Sequence, residues 1–465
     1  MRRWLREVPN DGVIRYRHAF NRERVLLASP KALAEVLVTK NYEFSKPEQF
    51  RHGLGRLLGI GVLLAEGDEH KKQRRMLMPA FSYRHIKNLY PIFWAKGREV
   101  TEKMTAVIKS QHANGNGTTE KPVSQEGTVL ELANWASRVT LDIIGVAGMG
   151  HDFNAIQDPS SELNECYRRV FQPDRGERRL FGLLTLVLPF WVLTSLPMKR
   201  NREVKEARAL IRRVCHDLIT EKKAKLAAGK SEDKDILSVA LESGGFIDEN
   251  LVDQLMTFLA AGHETTASAM IWACYLLCKY PDIQTKLRAE IRANLPSLAD
   301  PSATVTAEDV DKVSYLHAVC NEVLRFFPPV PLTMRIATQN CTIVDHPVPK
   351  RTMVIIAPWA VNRSPELWGP DADEFKPERW LTTDGHANNT GGADSNYSFL
   401  TFLHGSRSCI GQRFAQAEFA CLIAAWVGRF EMVLADKDFV LDIGGGVTAK
   451  PRGGLKVRLR VVEGW

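Results

Sequence analysis

The stretch Phe402-Leu403-His404-Gly405-Ser406-Arg407-Ser408-Cys409-Ile410-Gly411 decides how this chain is read. Its cysteine lies between two glycines, and Arg407 precedes it by two positions. Beyond Gly411, the residues Phe414, Ala417, Cys421, Leu422, Ala425 and Trp426 recur at helical spacing. The pattern predicts a glycine-bounded loop that feeds a helix N-terminus, where free N–H groups and partial positive charge stabilise a thiolate. Gly405 and Gly411 let backbone approach a flat ligand closely. Arg407 is suited to an acidic group on that ligand. Taken alone, the cysteine also fits a buried structural thiol.

Working outward, the longest helical pattern runs from Asp248 to Tyr280, with two acids at its start and Pro281 after its end. Inside it stands Ala261-Gly262-His263-Glu264-Thr265-Thr266. Glycine and paired threonines are poor mid-helix choices. A Thr265 hydroxyl bonded back to the Ala261 carbonyl bends a helix, so a local break is expected here, making either a polar notch or a kinked core helix. The His-Glu pair is no zinc-protease motif, because Ala267 stands where a second histidine is required. Glu322 and Arg325 lie three apart on a helix that ends at Phe326, before Pro328-Pro329. His70 and Arg74 share a helical face within Gly67 to Phe81, beside Lys71, Lys72 and Arg75, which read as a solvated basic face.

Phe402, Gly405, Arg407, Cys409 and Gly411 match the haem-binding signature of the cytochrome P450 family, and the chain resembles that family from about Val13 to its C-terminus. The resemblance implies a mainly α fold with a minor β component: a single triangular α-rich domain over residues 1–465 with small β-sheets, and 382–398 as a surface loop insert. It implies haem b as cofactor, with Cys409 as axial thiolate ligand of the iron and Phe402 and Gly411 in the cofactor-binding loop. It makes His70, Arg74, Arg335 and Arg407 a cationic clamp for the haem propionates. Thr265 and Glu264 become the alcohol and acid of the oxygen-activation motif. Glu322 and Arg325, completed by Arg379 in Pro377-Glu378-Arg379-Trp380, become a structural network that performs no chemistry. Two positions depart from the family pattern: Trp380 replaces a usual phenylalanine, and Asn362-Arg363 stands where many relatives have His-Arg.

The implied activity is a monooxygenase that inserts one atom of O2 into a lipophilic substrate. The likeness is to fungal members that decorate secondary metabolites such as terpenoids, polyketides or alkaloids. Electrons must come from outside, since no flavin or nicotinamide fingerprint is present. The resemblance implies an NADPH-dependent flavoprotein reductase, with cytochrome b5 a further donor, at the cytoplasmic face of the endoplasmic reticulum, and a monomeric enzyme. A basic cluster of Lys71, Lys72, Arg75 and Arg413 is the expected dock for an acidic reductase. Rival readings are a peroxygenase or isomerase-type thiolate-haem enzyme and a non-catalytic haem sensor. The acid–alcohol pair at Glu264 and Thr265 argues against both.

Composition is consistent with this. The chain has 465 residues, 45% hydrophobic and 25% charged, which is ordinary globular content, and a formal net charge of +8. No nucleic-acid module accompanies the basic balance, so a membrane or acidic partner is favoured. The eight cysteines form no CxxC pair, which excludes zinc ribbons and thioredoxin-like sites and points to reduced thiols. No apolar anchor opens the chain, which leaves a truncated, mis-assigned or soluble start open. Leu180 to Leu196 carries no charge over 17 positions but is short for a span and holds Pro189. It reads as a buried helix pair or as an interfacial segment resting on a bilayer at 180–196. Irregular chain is expected over Glu48 to Glu66, a loop over Lys109 to Gly127, helix from Leu130 to Ile144, and a polar linker at Gly229 to Lys234.

Overall fold

Thirteen residues of the helix Gln412–Arg429, from Phe414 to Gly428, are buried, and the main core is built around it. A helix apolar on all sides must be enclosed by other elements. It is packed by helices Tyr90–Asn114, Pro281–Asn294 and Ser314–Phe326. The computed structural model describes residues 1–114, 127–171, 190–228 and 235–465, with residues 176 and 184. The chain forms two compact units. One comprises Met1–Ser45, Phe81–Thr140 and Glu264–Trp465, and the other Lys46–Ala80 and Leu141–His263.

The first unit holds the sheets. Strands Val13–His18 and Arg22–Leu27 form an antiparallel hairpin. Arg22–Leu27 pairs in parallel with Met353–Ile356, which is followed by Thr333–Ala337 and the short edge strand Phe44–Ser45. A second sheet orders Thr128–Glu131, Lys456–Val461 and Phe430–Leu434, all antiparallel. Two small hairpins, Cys341–Ile343 with His346–Val348 and Ile443–Gly445 with Ala449–Pro451, complete the described strands. The second unit is helical. Its long helix Lys199–Ala227 packs on Glu48–Leu58 and Glu162–Phe171. Asp142 accepts the backbone N–H groups of Ala155 and Ile156 at 2.8 and 2.9 Å, which fixes the chain after its helix. The mainly α fold with small separate sheets is the one the sequence implies.

Four local expectations are corrected. Glu48–Leu58 is a helix rather than irregular chain: Leu57 and Leu58 are buried, and Gly59 closes it at φ +68°. Its glycines obscured a helix that tertiary packing sustains. Thr128–Glu131 is a strand, with Leu130 opposite Val457, and helix begins only at Leu132. The Glu131 carboxylate caps that start by accepting from Ala133 and Asn134 at 3.0 and 2.9 Å. Tyr90–Asn114 runs six residues into the expected loop. The helix Asp248–Lys279 is continuous through Ala261 to Thr266, so the expected break is not present. Its glycine has a packing reason instead: a Cβ at Gly262 would lie 2.9 Å from Ile144 Cδ1. The 180–196 segment lies mostly outside the described residues, although Phe190–Ser195 is helical, and the linker at 229–234 also lies outside them. Among the described residues no helix is long and apolar enough to cross a membrane.

A buried carboxylate ties the first unit together. Glu322, on Ser314–Phe326, accepts Arg325 Nε and Nη2 at 2.7 and 2.8 Å, the Lys376 N–H at 2.8 Å and Arg379 Nε at 3.1 Å. Trp380 Nε1 adds a fifth donor at 2.9 Å. The departure from phenylalanine at this position therefore adds a hydrogen bond as well as apolar bulk. Arg325 donates onward to the carbonyls of Asn362, Ala372 and Glu374. Asn362 is similarly engaged: its amide donates to the Arg325 carbonyl and to Thr401 Oγ1, and its oxygen accepts from the Leu400 N–H. The 382–398 loop is mostly exposed yet anchored. The N–H of Asn388 donates to the Trp380 carbonyl at 2.8 Å, and a Cβ at Gly391 would strike the rings of Trp368 and Trp380. Trp380→Phe removes one bond to a charged acceptor and is expected to lower stability by about 1.5–3 kcal/mol. An unchanged denaturant midpoint would show that this donor contributes nothing.

Candidate functional site

The cysteine loop is shaped by contacts to the N-terminal part of its unit. Gly405–Arg407 is one turn of 3-10 helix, and the N–H of Ser408 donates to the Gly405 carbonyl at 3.1 Å. Gly405 has φ +76°, and a Cβ there would sit 2.1 Å from the Leu37 carbonyl oxygen. Only glycine fits such a position. Ser406 bonds Asn41, and Arg407 Nη1 donates to the Phe44 carbonyl at 2.5 Å while its guanidinium lies over the Tyr42 ring. The N–H of Cys409 donates to the Phe402 carbonyl at 2.8 Å. Gly411 then caps Gln412–Arg429, its carbonyl accepting from Ala415. The predicted loop-to-helix junction is thus present, and Phe402, Gly405, Arg407, Cys409 and Gly411 all belong to it.

Cys409 is the one exposed cysteine of the eight, and none is in a disulfide. Burial raises the thiol pKa of each of the other seven, Cys166 to about 11 and Cys278 to about 12. Five of those seven are buried and Cys278 and Cys341 are half-buried, whereas Cys409 is exposed at a helix start, where free N–H groups favour a thiolate. Arg335 is buried on Thr333–Ala337, donating to the Met334 carbonyl at 2.8 Å and to Thr333 Oγ1. The edge strand Phe44–Ser45 links the two arginines: it pairs with Arg335's strand and gives its Phe44 carbonyl to Arg407. An exposed thiol, two buried guanidiniums and a glycine that admits close backbone fit an iron porphyrin with its two carboxylates.

His70 and Arg74 lie on the helix Gly67–Leu77, His70 buried and Arg74 half-buried. They belong to the second unit, so the four cationic residues of the expected clamp are divided, two to each unit. The basic cluster is divided likewise, with Lys71, Lys72 and Arg75 exposed on that helix and Arg413 exposed after the cysteine loop.

At residues 261–266, the expected oxygen-activation motif, the structure adds partners that sequence spacing does not reveal. Glu264 is buried and pairs with Lys450 Nζ at 2.5 Å, with Thr448 Oγ1 3.5 Å from the same carboxylate oxygen. The strand Ala449–Pro451 is pinned along the helix, because the Ala449 carbonyl accepts from Ser268 Oγ at 2.6 Å and Trp272 Nε1 at 2.9 Å. Thr265 is half-buried beside it. Glu418, on the helix that follows Cys409, is completely buried, and burial raises its pKa well above the ordinary carboxylate value. Nothing in the sequence marked Lys450 or Glu418: one lies 186 positions from its partner, and the other sits in an apolar helical run.

The comparisons agree with this architecture. The family model described as Cytochrome P450 matches residues 13–457, which takes in both units. The chain is similar to "Cytochrome P450 monooxygenase sphH" of Aspergillus fumigatus, 48% identical over 100% of this chain and 84% of that protein. It is similar to "Cytochrome P450 monooxygenase FUM15" of Gibberella moniliformis, 44% identical over 99% of this chain and 83% of that one. A crystal structure of the cytochrome P450 CYP102L1 superposes with a TM-score of 0.76 at 24% identity, covering 99% of this chain and 93% of that one, and supports the fold. The chain belongs to the cytochrome P450 family. It is a haem b-dependent monooxygenase that consumes O2, an organic substrate and electrons from a redox partner.

Gly405→Ala forces a Cβ against the Leu37 carbonyl in a left-handed backbone and is expected to cost about 1–3 kcal/mol locally. The haem-to-protein ratio of the purified variant should fall. A full complement of haem would show that this turn does not shape the cofactor loop.

Proposed function

We propose that Cys409 is the axial ligand of the haem iron and that the enzyme hydroxylates a lipophilic fungal secondary metabolite, such as a terpenoid, polyketide or alkaloid. The observation that carries the ligand assignment is the exposure of this one thiol at a helix start while the other seven are pushed toward neutrality by burial. Arg335, Arg407, His70 and Arg74 are the cationic partners of the haem propionates. Phe402 accepts the Cys409 N–H and so fixes the thiolate's loop. Gly411 keeps the helix start close to the cofactor. Bound haem supplies activation of O2, favoured by electron density from a thiolate ligand.

The protein's part is positional. Thr265 presents a hydroxyl at the motif, and Glu264, with Lys450 and Thr448, forms a polar lead to it. Glu322, Arg325 and Arg379 hold the scaffold and take no part in proton movement. The substrate class rests on the fungal monooxygenases to which the chain is similar. An NADPH-dependent flavoprotein reductase is the electron source, with cytochrome b5 as a second donor, and the enzyme works as a monomer at the cytoplasmic face of the endoplasmic reticulum. Lys71, Lys72, Arg75 and Arg413 supply positive charge for an acidic reductase.

Cys409→Ala is expected to abolish the red-shifted carbon monoxide difference band of the reduced protein, and its retention would overturn the ligand assignment. Thr265→Ala should keep that band while at least about tenfold more NADPH is spent per product formed, in the range usual for a lost proton-transfer group. Full coupling in that variant would remove Thr265 from the proton path.

A further inference from the structure

We propose that a cleft in the second unit binds the acidic head of an amphiphile, a phosphate or carboxylate group carried on a hydrocarbon chain. The cleft lies between the helices Glu48–Leu58 and Lys199–Ala227 and the turn that follows Phe190–Ser195. Its volume is about 460 Å³, inside the range of roughly 300–1,000 Å³ usual for small-ligand sites. Arg56, Arg202, Lys205 and Arg208 line it, and among the described residues no acidic side chain does.

The sequence sets this up along one helix face. Asn201, Lys205, Arg208 and Arg212 recur at i, i+4, i+7 and i+11 of Lys199–Ala227, so they form one stripe. The two ends of the stripe are engaged. Asn201 is buried, accepts Arg56 Nη1 at 3.1 Å, and donates to the carbonyls of Leu193 and Leu196 at 2.7 and 2.9 Å. These bonds fix both Arg56 and the turn against the helix. Arg212 pairs with Glu249 and Asp253. Between those ends, Lys205 and Arg208 have no ion pair among the described residues. The acids nearby in sequence are engaged: Glu203 with Lys199 and Arg200, and Glu206 with Arg202 at 3.9 Å. A solvated basic face intersperses acids with its cations, as this helix does on either side of the cleft. Within the cleft the positive charge is concentrated instead.

Arg56 is half-buried, and its pKa is lowered by burial and then by repulsion from Arg208. An anion bound between the two removes that repulsion, and guanidinium forks match the oxygens of a phosphate or carboxylate. The first turn of Lys199–Ala227 adds partial positive charge, because Met198 gives it no side-chain cap. The rest of the wall is different. Pro197, Met198 and Val204 border the same space, and such a surface gains nothing from an inorganic ion but is covered favourably by hydrocarbon. The two requirements together define a ligand acidic at one end and alkyl at the other. That chemistry is shared by an anionic bilayer lipid and a soluble amphiphilic acid, and the test separates the two sources.

The test titrates the haem-loaded enzyme calorimetrically with decyl phosphate below its micelle concentration. Saturable one-to-one binding is expected, weakening as NaCl is raised. Replacing both exposed cations, Lys205→Gln with Arg208→Gln, should lower the affinity at least about tenfold while the carbon monoxide difference spectrum and the denaturant midpoint stay unchanged. Arg213→Gln removes an exposed cation outside the cleft and should leave the affinity as it was. Val204→Glu, which puts an acid on the apolar wall, should weaken binding with all four cations in place. An absence of binding overturns the proposal. So does an affinity indifferent to the paired substitution, since the amphiphile would then sit elsewhere, the haem pocket included. Equal affinity for decanol would show that the cations are not used, and equal affinity for inorganic phosphate would show that the apolar wall is not; either result overturns it as well. Vesicles of phosphatidylcholine with and without phosphatidic acid then assign the source. Co-sedimentation that requires phosphatidic acid and falls with the paired substitution supports the proposal with a bilayer lipid as ligand. Variant-sensitive binding of decyl phosphate without such co-sedimentation supports it with a soluble amphiphilic acid.

Discussion

Five N–H donors converge on the Glu322 carboxylate, which has no contact with solvent, and the first unit is arranged around satisfying it. An ionised carboxylate so placed is tolerable only when its lone pairs are filled. Meeting that demand brings Ser314–Phe326 together with the Pro377–Trp380 turn and the backbone at Lys376. Arg325 then engages the carbonyls of Asn362, Ala372 and Glu374, and Asn362 carries the constraint to Leu400 and Thr401. Those residues begin the approach to Cys409. This buried ion pair therefore helps determine where the Cys409 sulfur is presented.

The same physics is used differently around residues 261–266. Glu264 has a cation and a hydroxyl within reach, whereas Glu418 is fully buried and has no ion pair among the described residues. Among the described residues, the three buried glutamates range from Glu322, with five donors, to Glu264, with one ion pair, to Glu418, with none.

Much of this was legible in the sequence because the decisive patterns are local. The cysteine loop, the Glu322–Arg325 spacing and the motif from Ala261 to Thr266 are each set by residues within ten positions of one another, and they fall on the loop and helices expected. What escaped depends on partners remote in the chain. The Lys450–Glu264 pair, the Trp380 indole bonded to Glu322 and the three bonds of Asn362 require a folded chain to bring them together. Glu48–Leu58 was obscured for a different reason: Gly53 and Gly55 lower intrinsic helicity, and packing overrides that preference. Leu130 was read as helical although it pairs with Val457 across the chain, a contact that periodicity does not contain.

The seating of the cysteine loop against Leu37, Asn41 and Phe44 has a consequence for the order of assembly. The bonds donated by Asn41 to Ser406 and by Arg407 to the Phe44 carbonyl span 365 and 363 positions. Contacts so remote close only after most of the intervening chain has been gathered in, since the entropy of loop closure is lost before the contact repays it. The loop that presents the sulfur is therefore expected among the last parts to take shape, leaving that thiol accessible in the partly folded chain. Protection of the Ser408 and Cys409 amides, timed by pulsed hydrogen exchange, would place the event, and protection as early as that of Gln412–Arg429 would contradict it.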